Sequence, residues 1–460
     1  MAILLESISA ADAEINEPAL EDFIRALEKS SARLRGFVLI RRGKAAFRHF
    51  WKPYQEDDPV WVYSLSKSFC STAVGFAVQE GLLKTGDRLL SFFPEYESII
   101  TDENCRAMTV QDLLTMRTGH EIDTTIFMIK AKNWVEAFLK LPVKFAPGTH
   151  FVYNSGATYM LSAIVQKLTG QKIHDYLGPR FFGPLGFGET SWDSCPQGIN
   201  TGGWGFTVTL EDIAKLGLLY LRRGNWQGNQ ILSEKWIDEA LYPHADNSIT
   251  PGASADWIRG YGYQFWRSRY GWRGDGAFGQ YCLILPEFDA VLALSTETEN
   301  MQEILDIVWK HLIPSFSTVN EDENLISGEY KAEKNPWGIC SVGLTFSRSA
   351  LKLRFVTETE AGGELEAGRY TWLQGDVLLP FGGFSFIPAM SQAKDRKKVS
   401  ASFIWRDRKN LDIRLVYRNG PHRDLCSVCF EGEGLRISVP PNLASRAMGG
   451  TGFDLNAHKG

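Results

Sequence analysis

Ser64 and Lys67 stand three residues apart in Val62-Tyr63-Ser64-Leu65-Ser66-Lys67-Ser68-Phe69, at the head of a run of small and apolar residues from Cys70 to Val78. In a helix, positions i and i+3 share one face, with Cβ atoms about 5–6 Å apart. Ser64 Oγ and Lys67 Nζ could then share a proton. A serine hydroxyl is a poor nucleophile until a neighbouring base takes its proton. Lysine can be that base only if burial or nearby positive charge brings its pKa well below about 10.4. The N-terminal turn of a helix adds backbone N–H groups and the positive end of the dipole. By itself the pattern also fits a helix start with a solvated lysine, so further partners must come from elsewhere in the chain.

The segment Phe145-Ala-Pro-Gly-Thr-His-Phe-Val-Tyr153-Asn-Ser155-Gly156, followed by a helical run to Leu168 and then Thr169-Gly170, changes that balance. It resembles the second signature of the serine β-lactamase and penicillin-binding-protein superfamily, in the branch of class C β-lactamases, D,D-peptidases and carboxylesterases. That signature is Tyr-x-Asn in a loop before a helix. Leu113-Leu-Thr-Met-Arg-Thr-Gly119 and the stretch from Gly202-Gly-Trp204-Gly to Ala214 also look like this superfamily, and the resemblance spans about residues 35–312.

The resemblance implies an acyl-enzyme mechanism. Ser64 would attack an ester or amide carbonyl, with Lys67 and Tyr153 sharing the proton traffic. A tyrosine, of ordinary pKa about 10, would serve as base only if cations such as Lys67 lower it. How the work divides between Lys67 and Tyr153 is open at this level, since two such groups titrate as a pair.

The departures from the pattern bear on substrate. The third position of Tyr-x-Asn is Ser155, which offers fewer donors and acceptors than an amide. The third signature, Lys-Thr-Gly or His-x-Gly on a strand facing the serine, has its place at Gly274-Asp275-Gly276-Ala277-Phe278-Gly279-Gln280-Tyr281. There Asp275 replaces the cation, or else is a turn residue. The Phe278 N–H is expected to complete an oxyanion hole with the Ser64 N–H, beside Gly276. Losing the cation removes the usual anchor for a substrate carboxylate, unless Arg273 or Arg269 supplies it. A literal Lys84-Thr85-Gly86 lies just past the nucleophile helix, where the superfamily has a surface connection, and is set aside. No Ser-Asp-Asn occurs, which disfavours the class A variant. No metal site is expected: Cys426-Ser-Val-Cys429 lacks a second ligand pair and lies in a strand, where i and i+3 face opposite ways. Gly202-Gly203-Trp204-Gly205 lacks the lysine and strand-to-helix setting of a phosphate cradle, and no cofactor is expected.

The elements that must position these residues are legible as periodicities. Glu17 to Lys29 is an amphipathic helix, with Leu20, Phe23, Ile24 and Leu27 at helical spacing. Phe37–Ile40 and Ala45–Phe50 form a hairpin turning at Gly43. The Ser64–Lys67 helix stops near Gly81. Helices follow at Thr109–Thr115 (Thr109 as cap, Asp112 at N3), Trp134–Leu141, Gly156–Leu168, Leu210–Arg223 and Ser233–Tyr242. Strands return at Tyr261–Ser268, Ala277–Leu285 and Ala290–Thr296, and Pro314 ends a helix over Met301–Leu312. A sheet interrupted by a helical block predicts an α/β (α+β) β-lactamase/transpeptidase-like domain over residues 1–318, with an antiparallel sheet, flanking helices and a helical lobe at about 81–225. Beyond a change of character at Ser315–Asn324, short β-type runs follow at Leu344–Phe346, Leu351–Val356, Tyr370–Leu373, Val399–Trp405, Leu411–Tyr417 and Leu425–Phe430. They predict a separate all-β domain over 325–460.

Composition limits the partners. The 460 residues are 44% hydrophobic and 22% charged, the balance of a globular chain, and exceed one ordinary core. A formal charge of −5 gives no electrostatic reason for nucleic acid or an anionic membrane as partner. No apolar run reaches the roughly 18 residues of a membrane helix. The first residues lack a basic n-region, and seven scattered cysteines fit reduced thiols, so a cytoplasmic protein is expected. The reading is a serine hydrolase of small ester, amide or peptide-like substrates, of unassigned oligomeric state. A β-lactamase or D,D-peptidase, and a low-turnover binding or scaffold protein of the same fold, are the alternatives.

Overall fold

A computed structural model describes residues 3–250, 252–316, 323–347, 349–358, 363–369, 371–379, 396–418, 420, 422–441, 446 and 452–460. The chain groups into two compact units, one of residues 1–8 and 27–306, the other of residues 9–26 and 307–460.

The first unit is built on a six-stranded antiparallel sheet. Its strands are β1 (Arg33–Arg41), β2 (Lys44–Phe50), β3 (Trp266–Arg267), β4 (Trp272–Gly276), β5 (Gln280–Leu285) and β6 (Ala290–Glu297), in the order β2-β1-β6-β5-β4-β3. β5 and β6 are buried on both faces and read accordingly as continuous apolar runs, Tyr281–Leu285 and Ala290–Leu294. Helix α1 (Ser66–Gln79) is, apart from Lys67, made of small and apolar residues as far as Val78, and it is buried from Ser66 to Ala77. Helix α2 (Ser155–Thr169) lies close to it, with Cys70 Sγ reaching Thr158 O. Helix α3 (Leu210–Leu221) presses on the sheet at Gly217, where a Cβ would come within 2.5 Å of Val291 Cγ1.

Local signals formed the expected elements. Thr109 and Asp112 make a reciprocal capping box at the start of Val110–Leu114. Gly81 takes a left-handed φ of 73° just past α1, and Gly170 ends α2 in the same way. Tyr261–Ser268 differs from its strand reading: only Trp266–Arg267 pairs as β3, and Gln264 has φ 64°. The reason lies in α1. Ser71 Oγ donates to Tyr263 O at 2.8 Å and Ser68 Oγ to Gln264 O at 2.9 Å, so these carbonyls cap polar side chains instead of extending a ladder.

The second unit carries a ten-stranded ladder from Glu364–Gly368 at one end to Leu373–Val377 at the other, and a further bridge from Gly368 to Ser402 makes it barrel-like. Alternation is clean in Asn410–Tyr417, where Leu411, Ile413, Leu415 and Tyr417 point inward. The strand read at Tyr370–Leu373 starts on Tyr370, which lies outside the described residues, as do 317–322 within the expected boundary. Residues 9–26 belong here and not with 27–306. Buried Asn16 donates through Nδ2 to Arg369 O at 2.8 Å and Phe403 O at 2.9 Å, and Arg369 makes a two-pronged bond to Glu323 at 2.7 and 2.6 Å.

Candidate active site

Ser64 occupies a single 3₁₀ turn, Tyr63–Leu65, that leads directly into α1. Lys67, one turn on, is 1% exposed, and its Nζ donates to Ser64 Oγ at 3.0 Å and to Gly203 O at 2.9 Å. Gly203 is closely packed at this point, since a Cβ there would lie 3.1 Å from Ser155 O and 3.5 Å from Lys67 Nζ. The glycine-rich loop at 202–205 therefore brings a carbonyl, not a phosphate cradle, to the ammonium. Burial lowers the Lys67 pKa to about 8, against the raising influence of Asp123 and Asp275.

Tyr153 closes the second side. It lines the same cavity as Ser64, its ring stacks on Trp266 at 5.2 Å between centroids, and Lys67 Nζ lies 4.7 Å from the ring centre. Burial and the negative charge of Asp275 push the Tyr153 hydroxyl well above its ordinary range. Lys67 thus lies over the ring face, and the net push on the hydroxyl is away from a tyrosinate.

Ser155 opens α2, and its backbone N–H donates to Asp123 Oδ1 at 3.1 Å. Asn154 is turned away into a cap, with Oδ1 accepting from Gly156 N, Thr124 N and Thr124 Oγ1. No sequence motif marks Asp123. It sits in an irregular loop after Gly119, and only its spatial approach to Ser155 and Lys67 reveals it.

Asp275 lies on β4 opposite Tyr281, so it is a strand residue and not a turn residue. Its Oδ2 accepts from Arg273 Nε at 2.8 Å, and both side chains are buried. Arg273 Nη1 is spent on Asp256 O and Ser268 Oγ, each at 2.9 Å, and its guanidinium lies over Trp257. Gly276, next in line, touches the nucleophile turn so closely that a Cβ would fall 2.1 Å from Val62 O.

Phe278 lies in the expected hairpin but points elsewhere. A cavity of about 930 Å³ is walled by Ser64, Tyr153, Trp257, Trp266, Asp275 and Ala277, among others, while Phe278 lines a separate cavity of about 410 Å³ with Trp61, Tyr63 and Arg35. The hairpin residue on the serine's cavity is Ala277. Among the described residues lining that cavity, Glu121, Asp246 and Asp275 are carboxylates and none is Lys or Arg. Arg269 is exposed and lies outside this lining.

A serine with a buried lysine on its Oγ and a tyrosine on the same cavity, set between a helix and an antiparallel sheet, match a known family. The β-lactamase family model fits residues 20–309. The chain belongs to the β-lactamase family. Within it, the chain is 25% identical over 273 residues to a lovastatin esterase of Penicillium rubens, covering 54% of this chain and 57% of the esterase. It is 22% identical over 289 residues to a 6-aminohexanoate-dimer hydrolase of Paenarthrobacter ureafaciens, covering 56% of this chain and 70% of that one. The chain thus spans little more than half of the esterase's length. In fold it is similar to an octameric penicillin-binding protein homologue from Pyrococcus abyssi, with a TM-score of 0.52 and 14% identity over 96% of this chain and 99% of that one. No helix among the described residues is long and apolar enough to cross a membrane.

Proposed function

We propose that this member of the family is a serine hydrolase that cleaves small ester or amide bonds through an acyl-enzyme on Ser64. The observation that carries this is the buried Lys67, 3.0 Å from Ser64 Oγ, with a pKa lowered to about 8. At neutral pH about one molecule in ten then has an uncharged Nζ lone pair able to take the Ser64 proton. Ser64 Oγ attacks the substrate carbonyl as Lys67 accepts that proton. The negative charge developing on the carbonyl oxygen is met by the Ser64 and Ala277 N–H groups, with Ala277 taking the part expected of Phe278. Tyr153, which keeps its proton, is the donor to the departing oxygen or nitrogen, and Lys67 reprotonates it. Water then repeats the sequence on the acyl-enzyme.

The lining favours this over a β-lactamase or D,D-peptidase, whose substrates carry a carboxylate. Arg273 is engaged by Asp275, and three carboxylates border the cavity. An anionic substrate would meet like charge there. The names of the relatives, an esterase and a dimer hydrolase, agree with a hydrolase. Short-chain 4-nitrophenyl esters, a chromogenic cephalosporin and a D-Ala-D-Ala peptide separate the readings. Ester turnover that disappears in Ser64→Ala is expected; rapid cephalosporin turnover with inert esters would sink the esterase assignment. A binding or scaffold role predicts no mass shift after a fluorophosphonate.

A further inference from the structure

Two residues that are not glycine take left-handed backbone angles beside the nucleophile, Tyr63 with φ 48° and Phe278 with φ 67°. An L side chain rarely adopts such angles unless the surroundings hold it there. Here they do. Tyr63 O accepts Ser66 Oγ at 2.5 Å, and Ser66 Oγ in turn accepts Phe206 N at 3.2 Å. Phe278 O accepts Thr298 N at 3.2 Å, Thr296 Oγ1 at 3.3 Å and Gln280 Nε2 at 3.4 Å. The two rings meet edge to face, with centroids 5.1 Å apart at 72°.

The peptide planes give these angles a consequence. A trans peptide is rigid, so the Tyr63 carbonyl and the Ser64 N–H lie in one plane and point opposite ways. Holding Tyr63 O therefore aims the Ser64 N–H. In the same way the Gly276 carbonyl fixes the Ala277 N–H, and Gly276 O accepts Gly279 N at 3.3 Å across a turn whose third residue is Phe278. A left-handed φ at that place is the mark of a type II turn, which ordinarily takes Gly or Asn. Phe278 is 44% exposed, so core burial does not account for the ring.

The geometry points to Tyr63 and Phe278 as positioning residues: their ring contact ties the Ser64 turn to the Ala277 turn and sets the two N–H groups of the oxyanion hole relative to one another. This rests on the hydrolase reading above. Phe278 touches no reacting atom in it, and its ring faces the smaller cavity.

Phe278→Gly keeps the left-handed angle accessible and removes the ring, whereas Phe278→Tyr keeps the ring. With a 4-nitrophenyl ester, Phe278→Gly is expected to lower kcat at least tenfold with KM within threefold. Its affinity for a boronic acid, a tetrahedral mimic, should fall in parallel with kcat. Phe278→Tyr should return kcat to within threefold of the starting protein. A Phe278→Gly variant with undiminished kcat, or one whose loss lies in KM, overturns the proposal while leaving the hydrolase reading intact. An unsubstituted protein that turns over no ester and takes no fluorophosphonate at Ser64 overturns both.

Discussion

Arg273 Nε lies 2.8 Å from Asp275 Oδ2, and both residues are buried, Arg273 at 0% and Asp275 at 6% exposure. On the strand that borders the serine's cavity this chain presents a carboxylate, and Arg273 holds it. Burial raises the Asp275 carboxyl above its ordinary range, and Arg273 and Lys67 offset that rise only in part.

Breaking that pair should be costly. Arg273→Met is expected to destabilise the first unit by about 3–5 kcal/mol, because it strands a buried charge. Arg273→Met with Asp275→Leu should recover most of that loss, since apolar pairs often replace buried ion pairs without penalty. Urea unfolding of both variants checks it; equal destabilisation of single and double variants would rule the account out.

The pH dependence of acylation should follow Lys67. Its pKa is lowered to about 8, so the neutral base becomes more abundant as pH rises, and kcat/KM should climb with an inflection near pH 8. Asp123 raises that pKa, so Asp123→Asn, which keeps an acceptor for the Ser155 N–H, should move the inflection to lower pH. A pH–rate profile of ester hydrolysis reads both; a shift to higher pH in Asp123→Asn contradicts the assignment.

Removing the amine should remove the chemistry and leave the fold. Lys67→Met fills the same buried space and takes away the lone pair, so fluorophosphonate labelling of Ser64 should slow by about 10²–10⁴-fold. Circular dichroism should be unchanged. Labelling at the original rate would show that Lys67 is not the base.

Gly276 should tolerate no side chain. A Cβ would sit 2.1 Å from Val62 O, a backbone atom of the nucleophile turn that cannot swing aside. Gly276→Ala should cost about 1–3 kcal/mol and abolish labelling. Gly203→Ala, with its nearest contact at 3.1 Å, should be milder in stability and still slow acylation through Ser155 and Lys67. Thermal melting beside labelling rates distinguishes the two.

What could be read from the chain alone was whatever depends on neighbours in sequence. Ser64 and Lys67 meet because three residues is one helical step, and no tertiary contact is needed to predict it. The Thr109–Asp112 capping box and the alternation through Leu411–Tyr417 are local in the same sense. The Tyr153 loop could be recognised because its motif is contiguous.

Contacts between distant segments escaped that reading. Tyr261–Ser268 has strand-like residues, yet Ser68 and Ser71 of a helix nearly two hundred positions earlier capture its carbonyls. The helix expected from Glu17 carried no sign of its partner, yet Asn16 before it donates to Arg369 O and Phe403 O, and residues 9–26 group with the second unit. Asp123 carries no motif and gains its place only beside Ser155. That Ala277 and not Phe278 borders the serine's cavity appears only in the folded turn 276–279, where Phe278 and Gly279 both take left-handed angles. Sequence by itself determined that Ser64 and Lys67 lie side by side, because their encounter is a property of one short turn running into a helix. Tertiary structure decided that Asp275 and Ala277 border the serine's cavity and that Phe278 does not, because this depends on how a hairpin from the far end of the unit lies against that helix.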